Sequence, residues 1–205
     1  MFEHRSAEFQ SFMKSVYDNR AALDAGSKDL TAIRNTMAAF IGIFKVPADV
    51  SVEGVDCDGV PAEWITAPES AMDRIVLYIH GGCYISGSPG VVRECCARLA
   101  RASKARVLSI DYRLAPEHPF PAALDDTLHC YRWALTQGYA PARSALAGES
   151  AGGGLTISAL VQCRDLGLPM PACGVPISPW VDMEVAFGDS LKRNLGIDLA
   201  SVEPL

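Results

Sequence analysis

Gly148-Glu149-Ser150-Ala151-Gly152 reads G-x-S-x-G between a short apolar strand candidate, SALAG at 144–148, and an apolar helix candidate at 151–166. A serine in a tight strand-to-helix turn needs neighbours without a Cβ two residues to each side, because the turn brings those backbones together; Gly148 and Gly152 meet that need. The bend would hold the Ser150 hydroxyl at the carboxyl end of a sheet, as a nucleophile for acyl transfer requires. The helix starts directly afterward, so the Ala151 N–H and the positive helix end face the place where an oxyanion would form. The alternative is a plain Gly/Ser turn at a helix start. A second motif, His80-Gly81-Gly82-Cys83, closes the apolar run RIVLYIH at 74–80. Acyl transfer needs two or more N–H donors converging on the developing alkoxide, and a glycine-rich turn can aim consecutive amides in one direction. Gly82 and Cys83 are expected to present their N–H groups, a geometry that Cys83 keeps only if its φ is negative, and His80 to brace the loop rather than act as a base.

These motifs need elements to hold them. Phe9, Phe12, Met13, Val16 and Tyr17 predict an amphipathic helix over about 6–20. Leu30, Ile33, Met37, Phe40, Ile41 and Phe44 predict a second after Ser27. From Val50 the period becomes that of strands, with Asp58-Gly59 as a hairpin turn in an antiparallel pair at one sheet edge. RIVLYIH is apolar at nearly every position, as a central strand buried on both faces should be. A helix with Val92, Cys95, Cys96, Leu99 and Ala102 on one face follows, then the strand ARVLSIDY. After the loop RLAPEHPFP, Pro121 opens a helix striped by Leu124, Leu128, Tyr131 and Leu135 and ended by Gly138. ACGVPIS at 172–178 is the last strand candidate. Strands alternating with crossover helices predict an α/β fold, a mostly parallel sheet covered on both faces.

Composition excludes several functions. With 205 residues, 49% hydrophobic and 20% charged, the chain suits one globular domain with at most a small appendage. Its net charge of −6 provides no basic field for a nucleic acid. No run of about 18 apolar residues occurs, and MFEHRSAEFQ carries charges where a signal peptide would be apolar, so a soluble cytoplasmic protein is expected. Seven cysteines, at 57, 83, 95, 96, 130, 163 and 173, form no CxxC pair and no zinc-finger spacing; they read as reduced core residues, with no metal and no cofactor. Neither GxGxxG nor GxxxxGK[ST] occurs, which argues against a nucleotide-binding sheet.

With the stretch Asp111-Tyr112-Arg113-Leu114-Ala115-Pro116-Glu117-His118-Pro119-Phe120-Pro121-Ala122 between them, the two motifs resemble the hormone-sensitive-lipase-like branch of the α/β-hydrolases, from about Val50 through Ser178-Pro179-Trp180-Val181-Asp182. The resemblance implies a serine carboxylic ester hydrolase acting on small or medium acyl esters or lactones. It maps the nucleophile onto Ser150 and the oxyanion loop onto Gly81, Gly82, Cys83 and Ala151, braced by His80. Residues 1–46 would be cap helices, 47–182 an incomplete hydrolase core, and 183–205 the start of a second cap segment.

The chain departs from the family twice. Cys83 replaces the third glycine of HGGG, and no histidine follows His129, although this fold orders its triad Ser, acid, His. His4, His80, His118 and His129 each have non-catalytic readings; His129 is expected on the solvated side of its helix, and His118 in a structural loop. Asp165, Asp182, Asp189 and Asp198 follow the bend, none at a strand end suited to orient a histidine. The expectation is therefore a C-terminally truncated enzyme, inactive or weak alone, with ACGVPIS a naked sheet edge open to self-association. A non-catalytic binder of an ester or acid, or a non-functional remnant, is the rival reading.

Overall fold

A computed structural model of the chain describes residues 6, 7, 9–11, 14 and 29–183. The chain divides into two compact units, Met1–Thr36 with Asp182–Leu205, and Met37–Val181. In the first, residues 7, 9–11 and 14 are helical, and the other positions of the helix expected over 6–20 lie outside the described residues, as does the stretch 184–205. Asp29 begins helix α1 (Leu30–Ala38), its carboxylate accepting the Thr31 N–H at 2.9 Å. That helix stops at Ala38, short of the expected Phe44. Residues 39–43 form turns instead, because Gly42 sits at φ +80°, where a right-handed helix cannot continue.

The second unit holds one six-stranded sheet. Strand β1 (Ser51–Asp56) pairs antiparallel with β2 (Pro61–Thr66), as the Asp58-Gly59 signal predicts. Both turn residues have positive φ, +53° and +105°, the twist that lets a two-residue loop match the strands it joins. Strand β3 (Ala71–Ile79) leads to helix α2 (Pro89–Ser103), β4 (Ala105–Ile110), helix α3 (Ala122–Thr136), β5 (Ser144–Glu149), helix α4 (Ala151–Asp165) and β6 (Cys173–Ile177). The order across the sheet is β1-β2-β4-β3-β5-β6, with β4, β3, β5 and β6 parallel and the β1–β2 hairpin antiparallel at one edge.

Alternation in β3 explains why its sequence is apolar from Ile75 to Ile79. Ile75, Leu77 and Ile79 face α3 and α4, packing with Leu128, Tyr131, Leu155 and Ala159. Val76 and Tyr78 face α2, packing with Val92, Cys96 and Ala100. The buried face of α2 runs through Val92, Cys96, Ala97 and Ala100; Cys95 and Ala102, expected on it, are exposed, since a turn of 3.6 residues carries them past the contact. Of the cysteines, Cys57, Cys96, Cys130 and Cys163 are buried, whereas Cys83, Cys95 and Cys173 are exposed, so the core reading holds for four of seven; all seven are free thiols.

The start of α4 touches the end of β3 backbone to backbone. A Cβ on Gly152 would lie 2.6 Å from the His80 carbonyl oxygen, and one on Gly148 would lie 2.6 Å from that of Ile79. Gly152→Ala should therefore cost about 2–3 kcal/mol in denaturant unfolding, because neither neighbour is a side chain that can swing away. Gly54→Ala, with nothing within 4 Å, should stay within about 0.5 kcal/mol.

Candidate active site

Ser150 occupies the bend between β5 and α4 with φ +54° and ψ −117°, a conformation costing a non-glycine residue on the order of 1–3 kcal/mol. Three backbone hydrogen bonds hold it there. Its N–H donates to the Ile177 carbonyl at 3.0 Å, and its own carbonyl accepts from Gly154 N–H and Trp180 N–H, each at 3.0 Å. The last contact brings the Ser178-Pro179-Trp180 segment over the helix start, where Gly153 and Gly154 leave room for it: a Cβ on Gly153 would lie 2.9 Å from Pro179 Cα. Ser150 is half-buried, and its hydroxyl makes no hydrogen bond among the described residues.

The His80-Gly81-Gly82-Cys83 loop lies directly against this bend, a Cβ on Gly81 falling 3.2 Å from Ser150 Cβ. Three successive peptide planes are held one by one. In the first, Tyr112 Oη–H donates to the His80 carbonyl at 2.9 Å while Gly81 N–H donates to Glu149 Oε1 at 2.5 Å. In the second, His80 Nδ1–H donates to the Gly81 carbonyl at 2.7 Å, which fixes the proton on Nδ1. In the third, the Gly82 carbonyl accepts from Ser86 N–H at 3.0 Å and Ser86 Oγ–H at 2.9 Å. A trans peptide carries its N–H opposite its C=O, so gripping the Gly81 and Gly82 carbonyls sets the directions of the Gly82 and Cys83 N–H groups. Among the described residues, those two amides and that of Ala151 donate to no protein group.

Cys83 departs from expectation. Its φ is +56°, not negative, and Tyr84 follows at +64°. The loop keeps the path a glycine would take, because Gly82 at φ +120° passes so close to Ser86 that a Cβ there would lie 2.6 Å from its carbonyl carbon. The residue is exposed as a whole, yet desolvation of its sulfur raises the thiol pKa.

His80 is 1% exposed and stacks on Tyr112 with ring centroids 4.2 Å apart. Burial outweighs its bond to the Gly81 carbonyl and pushes the imidazole down to about 4. A neutral, gripping ring fits a brace rather than a base. The expected solvated role of His129 is not met: its Nε2 lies 2.8 Å from the Cys57 carbonyl, tying α3 to the β1–β2 hairpin, a partner 72 residues away that no local pattern reveals. His118 is exposed in the Pro-rich loop, and His4 lies outside the described residues. That loop is anchored by Arg113, paired with Asp126, and by Ala115 N–H donating to the Tyr84 carbonyl at 2.9 Å. Asp165 pairs with its neighbour Arg164, while Asp189 and Asp198 lie outside the described residues. Two contributors to the loop went unread in the sequence, Tyr112 and the carboxyl of Glu149. A glutamate between an apolar strand and an apolar helix was the available signal for the second, since a buried carboxyl requires a donor.

A sheet of this order, a serine held in a strained strand-to-helix bend and a clamped glycine loop against it define a hydrolase core. A family profile described as the alpha/beta hydrolase fold matches residues 76–200. The chain belongs to the α/β-hydrolase fold family, in its hormone-sensitive-lipase-like branch. It is 46% identical over 145 residues to an acetyl-hydrolase of Streptomyces hygroscopicus, covering 71% of this chain and 47% of that protein. It is 31% identical over 175 residues to an esterase of Acinetobacter venetianus, covering 85% of this chain and 57% of that protein. The crystal structure of an esterase from the bacterial hormone-sensitive lipase family superposes with a TM-score of 0.88 at 44% identity, covering 98% of this chain and 66% of the other. The chain thus spans about half the length of the curated relatives it matches. No helix among the described residues is long and apolar enough to cross a membrane.

Two measurements check this geometry. Because the folded His80 pKa lies below its ordinary 6.5, the unfolded chain binds more protons between the two values; stability should be full above pH about 7 and decline as pH falls toward 4, with His80 still neutral by NMR at pH 5.5. Cys83→Gly should raise stability by about 0.5–1 kcal/mol in denaturant unfolding, the relief of left-handed strain exceeding the added entropy of the unfolded chain.

Proposed function

We propose that this chain carries the nucleophile and oxyanion hole of a serine carboxylic ester hydrolase acting on small or medium acyl esters or lactones. Ser150 attacks the carbonyl, and the N–H groups of Gly82, Cys83 and Ala151, on the loop that Gly81 and His80 hold, take the negative charge of the tetrahedral intermediate. The observation that carries this reading is the pairing of a strained serine hydroxyl with three amides on two adjoining loops, none of which makes a hydrogen bond to a protein group among the described residues. The names of the relatives, acetyl-hydrolase and esterase, support it. We place the acid and the histidine of the triad in the part of the relatives that this chain does not span. Residues 1–46 are assigned as cap helices, 47–182 as an incomplete hydrolase core and 183–205 as the start of a second cap segment. The seven free thiols support a cytoplasmic location.

No histidine among the described residues hydrogen-bonds Ser150, and losing that base lowers turnover by about 10⁶. This chain alone should hydrolyse p-nitrophenyl acetate at a rate close to undetectable. Followed by the unmatched part of the 44%-identical esterase, it should hydrolyse the ester, and a fluorophosphonate should label Ser150. A folded chimera without labelling, or with labelling unaffected by Ser150→Ala, overturns the reading. Binding of the ester without turnover by that chimera would favour a non-catalytic binder.

The β6 edge is proposed as a self-association surface, Val175 and Ile177 being 47% and 43% exposed on a strand whose only partner among the described residues is β5. Val175→Lys should shift sedimentation at micromolar concentration toward the monomer. An unsubstituted chain that already sediments as a monomer would sink the proposal.

A further inference from the structure

Glu149 occupies the variable position before the serine, where nothing in the G-x-S-x-G pattern demands a carboxylic acid. Its side chain is half-buried. It leaves β5 on the same sheet face as Ala147 and Tyr78, toward α2, and its Oε1 accepts the Gly81 N–H at 2.5 Å across 68 residues of chain. Its Oε2 is buried with no hydrogen-bond partner among the described residues. A buried carboxyl with one free oxygen is costly, and a neutral apolar residue would avoid the cost. Tyr78 also lies against this carboxyl, and the bond to Gly81 N–H is the contact that reaches the loop.

We propose that Glu149 is a positioning residue, whose Oε1 anchors the first peptide plane of the His80-Gly81-Gly82-Cys83 loop to the serine bend and so sets where the Gly82 and Cys83 amides stand relative to Ser150. The inference rests on the assignment of those amides to the oxyanion hole. Its logic is mechanical. The clamps on the second and third planes, His80 Nδ1 and Ser86, belong to the loop itself and would move with it. Tyr112 ties the first plane to the segment after β4. Among the described residues, only Glu149 ties the loop by a side-chain hydrogen bond to the serine bend, which it directly precedes. Oxyanion donors act through fixed placement, so a side chain that links the two loops acts on turnover rather than on substrate affinity.

Glutamine keeps a carbonyl oxygen at the Oε1 position and alanine removes it, so the two substitutions separate the anchor from the charge. In this chain, backbone hydrogen exchange at Gly81 should remain within about threefold of the unsubstituted rate in Glu149→Gln and quicken at least about tenfold in Glu149→Ala. The groups facing the carboxyl, Tyr78, Tyr112, Cys95 and Cys96, are all held protonated to higher pH by burial. The Gly81 amide shift should therefore follow the titration of the Glu149 carboxyl carbon with the same midpoint in the unsubstituted chain. This arm stands even if the alanine variant does not fold. In the chimera, Glu149→Ala should lower kcat for p-nitrophenyl acetate about 10²-fold with KM within about twofold, and Glu149→Gln should retain kcat within about threefold. A Gly81 amide indifferent to the carboxyl's titration, or an equal kcat loss in both variants, overturns the proposal. An unsubstituted chimera without hydrolysis would instead strike at the esterase reading and leave the amide measurements to decide the anchor.

Discussion

Two backbones touch where the serine bend meets the end of the central strand, and the candidate site depends on that contact. Gly148 and Gly152 bracket Ser150 because side chains at either position would meet the carbonyls of Ile79 and His80. The contact places the two loops side by side, and the parallel register that aligns Ile79 with Gly148 brings both to the same end of the sheet. Everything beneath serves this alignment. β3 is packed on both faces, Ile75, Leu77 and Ile79 against α3 and α4 and Val76 and Tyr78 against α2.

Strain at the bend and order in the glycine loop are two sides of one arrangement. Ser150 is kept in its uncommon conformation by backbone partners from β6 and from the segment after it, so the serine is over-determined rather than relaxed. The loop opposite reaches similar order differently, through carbonyls gripped in succession by Tyr112, His80 and Ser86. Among the described residues the Gly82 and Cys83 amides are left as the unsatisfied half of their peptide groups, while the Gly81 amide is taken by Glu149. Burying a neutral histidine to hold such a loop costs stability at acid pH, and the stack on Tyr112 offsets part of that cost.

Much of the fold was legible because its signals are periodic or local. The unbroken apolar run of β3, the stripe of α3 and the Asp58-Gly59 turn all translate into burial or φ within a few residues. The adjacency of the two glycine motifs was legible as well, since both fall at the carboxyl ends of strands that a parallel sheet sets next to each other. What escaped reading is non-local. The hold of Glu149 on Gly81 and that of His129 on the Cys57 carbonyl join residues about seventy positions apart, and no period encodes them. The left-handed backbone of Cys83 escaped for another reason: the residue type argues against it, and only the neighbouring passage of Gly82 past Ser86 imposes it. The end of α1 was misjudged because apolar spacing continued beyond Gly42 although the backbone did not.

The two rims of the sheet differ in kind. One is the β1 strand, SVEGVD, studded with Glu53 and Asp56 and interrupted by a glycine; the other is β6, with Val175 and Ile177 open to water. Were two copies to join along β6, a two-fold axis would set their strands antiparallel and use up the adhesive rim of both. Each outer rim would then be the acidic one, where like charges repel a third arrival. Under that arrangement the asymmetry would build in a stoichiometry, pairs in place of open-ended fibres, without any dedicated terminating device.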